Sequence, residues 1–158
     1  MSGLFYLHTI LSGLNCILVS GKEASANIKA EVNAVAESRP MYEQRSWGEY
    51  RVIDSSVFPD GAKALTKELI IREGGQLDYL RHMHRGEVWT VISGTGEVVL
   101  DGLVQQVRAG SVVQIPSGTP HSARAVGGDL HVIEVQHGEV HIHDDAESLD
   151  DFWNNFSD

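Results

Sequence analysis

Residues 97–107, Glu97-Val98-Val99-Leu100-Asp101-Gly102-Leu103-Val104-Gln105-Gln106-Val107, place two short strand-like runs on either side of an Asp-Gly pair. A two-residue type I′ turn needs positive φ at both central positions, and Asp and Gly tolerate it, so the stretch reads as a β-hairpin. Working outward from this hairpin, the same texture runs back to Trp47 and forward to residue 136. Short apolar or alternating runs recur, bounded every eight to twelve residues by turn signals, which is the pattern of an all-β sandwich or barrel. The expected strands are 50–54, 64–72, 77–84, 87–92, 97–100, 103–107, 111–115, 121–126 and 130–136. Between the last three, Pro116-Ser117-Gly118-Thr119-Pro120 reads as a rigid turn that delivers His121 into the next strand.

Before residue 47 the texture is different. From residue 23 to 37, Ile28, Val32 and Val35 recur at helical spacing among alanines, and Ser38-Arg39-Pro40 stops the pattern. So short an amphipathic helix is marginal alone and needs a surface to dock on. Residues 4–19 are apolar but carry no basic residue before them and are broken by His8, Ser12, Gly13 and Asn15, which argues against an export signal and a membrane span. The expected organisation is an N-terminal strand and helix (1–46), a barrel (47–143) and an acidic surface helix or tail (144–158).

The 158 residues suffice for one compact domain with its own core. Twenty-two acidic against twelve basic residues give a formal charge of −10, which disfavours nucleic acid and anionic membrane as partners. A small phosphorylated ligand is compatible with that balance, because a few clustered arginines hold one phosphate whatever the net charge. The lone cysteine, Cys16, makes no intramolecular disulfide and reads as a small buried residue, consistent with a reducing cytoplasm.

His82 and His84 are two apart in an expected strand, so their imidazoles leave one face. Gly86 permits the bend that returns Glu87 toward them. Two imidazoles and a carboxylate suit a borderline metal such as Zn²⁺ or Fe²⁺. Taken alone, His-x-His with a glutamate is more often a set of surface groups.

The surroundings change that balance. Gly75, His82, His84, Glu87 and Gly94 resemble the first cupin motif, and Gly110, Pro116, Gly118 and His121 resemble the second, Gly-x5-Pro-x-Gly-x2-His. More narrowly, Arg45 to Gly48, His82 to Trp89 with Ser93-Gly94-Thr95, Ile115 to His121, and Ile133-Glu134-Val135-Gln136 resemble the type II mannose-6-phosphate isomerase domain, often fused behind a mannose-1-phosphate guanylyltransferase. The resemblance implies a single cupin barrel, or double-stranded β-helix. It implies one divalent metal on His82, His84, Glu87 and His121, with Zn first and Fe, Mn, Ni or Co as the other candidates. The chain departs from the family at Met83 and Val88, where histidines are usual, and at Ser148, the counterpart of an arginine. No glycine- and arginine-rich nucleotidyltransferase motif occurs.

The implied reaction is interconversion of mannose 6-phosphate and fructose 6-phosphate, with Glu134 as candidate base and Gln136, Arg81, Arg85 and Arg124 as candidate substrate contacts. Each has a plainer reading: Glu134 and Gln136 as satisfied polar groups at a sheet edge, the arginines as solvated strand residues. His131 and His137 fall on the face opposite Glu134, and His141-Ile142-His143 reads as surface. Two other functions use the same ligands, a sugar-binding cupin without turnover and a metal-dependent dioxygenase. A homodimer is expected, since residues 4–19 need a cover.

Overall fold

The structure is a computed structural model that describes residues 42–138, 145–150 and 152–155. The N-terminal strand and helix, Cys16 and the His141–His143 pair lie outside the described residues. Eleven strands and one short helix are seen, in the order β1 (Tyr42–Arg45), β2 (Gly48–Val57), β3 (Lys63–Ile71), β4 (Leu80–His82), β5 (Arg85–Ser93), β6 (Thr95–Leu100), β7 (Leu103–Arg108), β8 (Val112–Ile115), β9 (His121–Ala125), β10 (Leu130–Gly138), β11 (Ala146–Ser148) and α1 (Phe152–Asn155). They form a six-stranded sheet ordered β1-β2-β3-β10-β5-β8 and a five-stranded sheet ordered β11-β4-β9-β6-β7. All pairings are antiparallel.

The all-β expectation holds, and the Asp-Gly hairpin is where the sequence puts it. Asp101 and Gly102 have φ of 48° and 78°, and Leu100 faces Leu103 across the turn. Alternation then builds the core. Leu69 and Ile71 of β3, Trp89 and Val91 of β5, and Leu130 and Val132 of β10 meet Val98, Val107, Ala123 and Ala125 of the other sheet. Burying each large apolar side chain stabilises the fold by roughly 1.5–3 kcal/mol. Gly94 makes the β5–β6 turn possible: its φ is 84°, and a Cβ there would lie 2.0 Å from the Asp129 carbonyl oxygen.

Three features were not anticipated. First, β1 pairs with β2 across residues 46 and 47, with Arg45 opposite Gly48. Second, the described part of the C-terminal segment packs on the barrel. β11 adds to the edge of β4, with Ala146 opposite His82, and Trp153 is 4% exposed with its Nε1 donating to Ser122 Oγ at 2.8 Å. Third, the strand expected over 77–84 ends at His82. The N–H groups of Met83 and His84 both donate to Asp145 Oδ1 at 3.0 Å, and Ser117 Oγ donates to the Met83 carbonyl at 2.6 Å. Those bonds take the two residues out of the ladder and into a bend.

Candidate metal centre

Three inward-facing side chains meet at one end of the core. His82 comes from β4, Glu87 from β5 and His121 from the first position of β9, and all are buried. One ligand atom from each lies within 4.8 Å of the others. His82 Nε2 is 3.4 Å from Glu87 Oε1, and His121 Nε2 is 3.5 Å from Glu87 Oε2. His84 does not join them. It is exposed, because the bend held by Asp145 breaks the two-residue parity that would have aimed it inward. The four-residue set read from the sequence is thus three residues in the structure.

Each member is oriented by neighbours. His121 Nδ1 lies 2.8 Å from the Thr119 carbonyl, to which it can only donate, so Nε2 faces Glu87. Trp89 Nε1 donates to Glu87 Oε2 at 3.0 Å, and Gln136 Nε2 donates to Oε1 at 3.2 Å. The indole of Trp89 also stands edge-on to the His121 ring, with centroids 5.6 Å apart. Strand pairing explains this convergence, since Glu87 lies opposite Gln136 and Trp89 opposite Glu134.

Arg85 completes the group. Its side chain is 10% exposed, with Nη2 3.0 Å from His82 Nε2, Nε 3.5 Å from Glu87 Oε1 and Nη1 3.6 Å from Asp145 Oδ2. Burial pushes His82 down to about 4, so it is neutral near pH 7. Burial alone would raise Glu87, but the hydrogen bond and charge of His121, with His82 and Arg85, hold it well below the usual carboxylate range. Burial alone would lower His121, and its contacts with Glu87 and the Thr119 carbonyl raise it instead.

Two imidazole nitrogens and an ionised carboxylate, oriented by second partners, fit a divalent cation with positions left open. A cation and Arg85 use the same lone pair on His82 Nε2, so one excludes the other there. The cluster opens on a cavity of about 290 Å³ whose wall includes Lys67, Tyr50, Arg45, Glu134 and Gln136. Glu134 is 5% exposed, accepts a hydrogen bond from Gln136 and lies 3.4 Å from Lys67 Nζ. Burial and the charge of Glu87 raise its pKa.

Of the sequence candidates for substrate contact, Gln136 and Arg85 line this cavity and Arg81 and Arg124 do not. Arg81 is adjacent to His82 and Arg124 three residues after His121, so strand alternation turns both away. Arg81 pairs with Glu147 at 2.9 and 3.0 Å, and Arg124 pairs with Glu97 at 2.6 Å over the Trp153 ring. His131 bonds Glu68 at 2.7 Å on the outer face, and His137 is exposed. Sequence reading missed Lys67, although its signal was present: it shares a strand face with Leu65, Leu69 and Ile71. Asp145 gave no local signal, since its partners are 61 and 62 residues away.

The family model described as mannose-6-phosphate isomerase C-terminal matches residues 31–151. The alginate biosynthesis protein AlgA of Pseudomonas putida is 29% identical over 146 residues, covering 88% of this chain and 29% of that protein. The mannose-1-phosphate guanylyltransferase ManC of Salmonella typhimurium is 28% identical over 144 residues, covering 87% of this chain and 29% of that protein. The chain therefore spans less than a third of the length of these curated relatives. Among solved structures, an oxalate decarboxylase OxdC variant from Bacillus subtilis aligns with a TM-score of 0.60 at 18% identity, over 71% of this chain and 31% of that one. A double-stranded β-helix protein from Klebsiella pneumoniae aligns at 0.54 and 20% identity, over 73% and 94%. The cupin architecture expected from the two motifs is thereby borne out.

Proposed function

The chain belongs to the mannose-6-phosphate isomerase C-terminal family, and from that premise we propose that it is a metal-dependent isomerase interconverting mannose 6-phosphate and fructose 6-phosphate. The observation that carries this reading is the buried His82–Glu87–His121 group opening on a cavity that also holds a carboxylate, Glu134, and a lysine, Lys67. A divalent cation on that group, Zn²⁺ in first place, would supply Lewis-acid stabilisation of the negative charge that builds on the sugar oxygens.

The remaining chemistry falls to the chain. Glu134 is the base that removes the proton from C2, beside the carbonyl, and returns it to C1, the former carbonyl carbon, while the hydroxyl proton passes from O2 to O1, so that no atom is gained or lost. Its raised pKa strengthens it as a base, and Lys67 and Gln136 hold it in place. Lys67 and Arg45, together with Arg85, are the cations on the cavity wall, and a phosphate suits them. The test is an NMR assay of mannose 6-phosphate with metal-loaded protein. Fructose 6-phosphate should accumulate, and Glu134→Gln should stop it without removing the metal.

A second reading, sugar-phosphate binding without turnover, is favoured by Ser148. It stands where the resembling family has an arginine, and it sits exposed in β11 opposite Leu80. Saturable binding of mannose 6-phosphate with no fructose 6-phosphate formed supports this reading against the first.

A further inference from the structure

Asp145 is buried, with its side chain wholly out of solvent, yet it reaches the site from the residue just before β11 rather than from any motif strand. Its two oxygens have separate tasks. Oδ1 accepts both N–H groups of the bend at Met83 and His84. Oδ2 has no hydrogen-bond partner, and it faces His82 Nδ1 at 3.8 Å, a second buried atom without one. The state of that nitrogen follows from the other side of the ring. Arg85 Nη2 can only donate, so His82 Nε2, 3.0 Å away, carries the lone pair and Nδ1 carries the hydrogen. A donor and an acceptor, both buried and neither hydrogen-bonded, thus face each other across a gap that a shift of under about 1 Å closes to hydrogen-bond length, while the Arg85 guanidinium, with Nη1 3.6 Å from Oδ2, forms an ion pair with that oxygen.

We propose that Asp145 is the positioning residue of the metal centre, fixing His82 in the tautomer with hydrogen on Nδ1 so that Nε2 offers its lone pair to a cation. The residue acts through His82 and touches neither the cation nor the sugar. Carboxylates in this relation to a ligating imidazole set its orientation, and their loss typically lowers metal affinity ~10–100-fold. The inference rests on the metal-centre reading and is independent of whether a sugar is isomerised.

Asp145→Asn tests it sharply. The two backbone N–H groups at Oδ1 keep the amide oxygen on their side, which turns the amide NH₂ toward His82 Nδ1, where it opposes the Nδ1–H tautomer. The measurement is long-range ¹H–¹⁵N correlation of the histidine ring nitrogens in metal-free protein near pH 8, with His82→Gln assigning the signals. Titration with Zn²⁺ in a competing chelator runs alongside. Wild-type protein should show a protonated Nδ1 and an unprotonated Nε2 at His82, and Asp145→Asn should shift that balance and weaken Zn²⁺ binding ~10–100-fold. Unchanged ring-nitrogen shifts with Zn²⁺ affinity within twofold would overturn the proposal, leaving Asp145 a structural residue even if the melting temperature falls. Should Asp145→Asn not fold, the spectrum of Arg85→Met decides, because without the guanidinium at Nε2 only Asp145 remains to hold hydrogen on Nδ1, and hydrogen on Nε2 there would overturn the proposal. Absence of isomerase activity moves neither readout, so failure of the functional reading is distinguishable from failure of this one.

Discussion

The two histidine-bearing segments of the barrel, residues 82–84 and 116–121, invited the same kind of reading and came out differently. At His121 the side chain points inward beside Glu87, because everything that aims it is local: a turn bounded by Pro116 and Pro120, and the Thr119 carbonyl two residues back at 2.8 Å. Of His82 and His84, the first points inward and the second is exposed, because a carboxylate 61 residues beyond His84 bends the chain there. Strand parity is a reliable guide only while the strand lasts, and a distant hydrogen-bond acceptor can end it.

That contrast is exposed to experiment most directly through the histidines themselves. His121→Ala and His82→Ala should each lower Zn²⁺ affinity at least a hundredfold, beyond the ~10–100-fold typical of outer partners, while His84→Ala should leave it within twofold. Isothermal titration on the folded variants decides, and a large loss at His84 would restore the four-residue centre. Next in size, Glu134→Gln should lower isomerisation ~10²–10⁴-fold, the usual range for a general base, with bound metal unchanged by elemental analysis. Arg85→Gln should raise Zn²⁺ affinity several-fold, since it removes a cation that competes for His82 Nε2; weaker binding would mean that the guanidinium supports the centre instead. Ser117→Ala sharpens the comparison at the bend, where loss of the bond to the Met83 carbonyl should cost about 1 kcal/mol in chemical denaturation. Smallest, Arg81→Ala and Arg124→Ala should leave mannose 6-phosphate affinity within twofold, because alternation points both side chains away from the cavity.

How much of this was legible beforehand follows the range of the interactions. The hairpin at Asp101-Gly102, the strands of the barrel and the placement of Glu87, His121, Glu134 and Gln136 depend on alternation and turn chemistry, which neighbouring residues display. Arg81 and Arg124 could have been set aside by the same rule, since odd spacings from His82 and His121 already oppose them. Lys67 was readable as a cation on an otherwise apolar strand face. The pairing of β11 with β4 and the burial of Asp145 and Trp153 were not readable. A short acidic segment shows nothing of its partners until the sheet edge that receives it exists.

Trp89 has a use of its own. Its indole N–H binds Glu87, its ring stands edge-on to His121, and it is 2% exposed, so the chromophore touches two of the three candidate metal ligands and is shielded from bulk water. Any cation that neutralises Glu87 or draws electron density from His121 changes the electric field across that ring. A cation at the proposed centre should therefore change the intrinsic fluorescence of the protein, and Trp89→Phe identifies the signal against the background of Trp47 and Trp153.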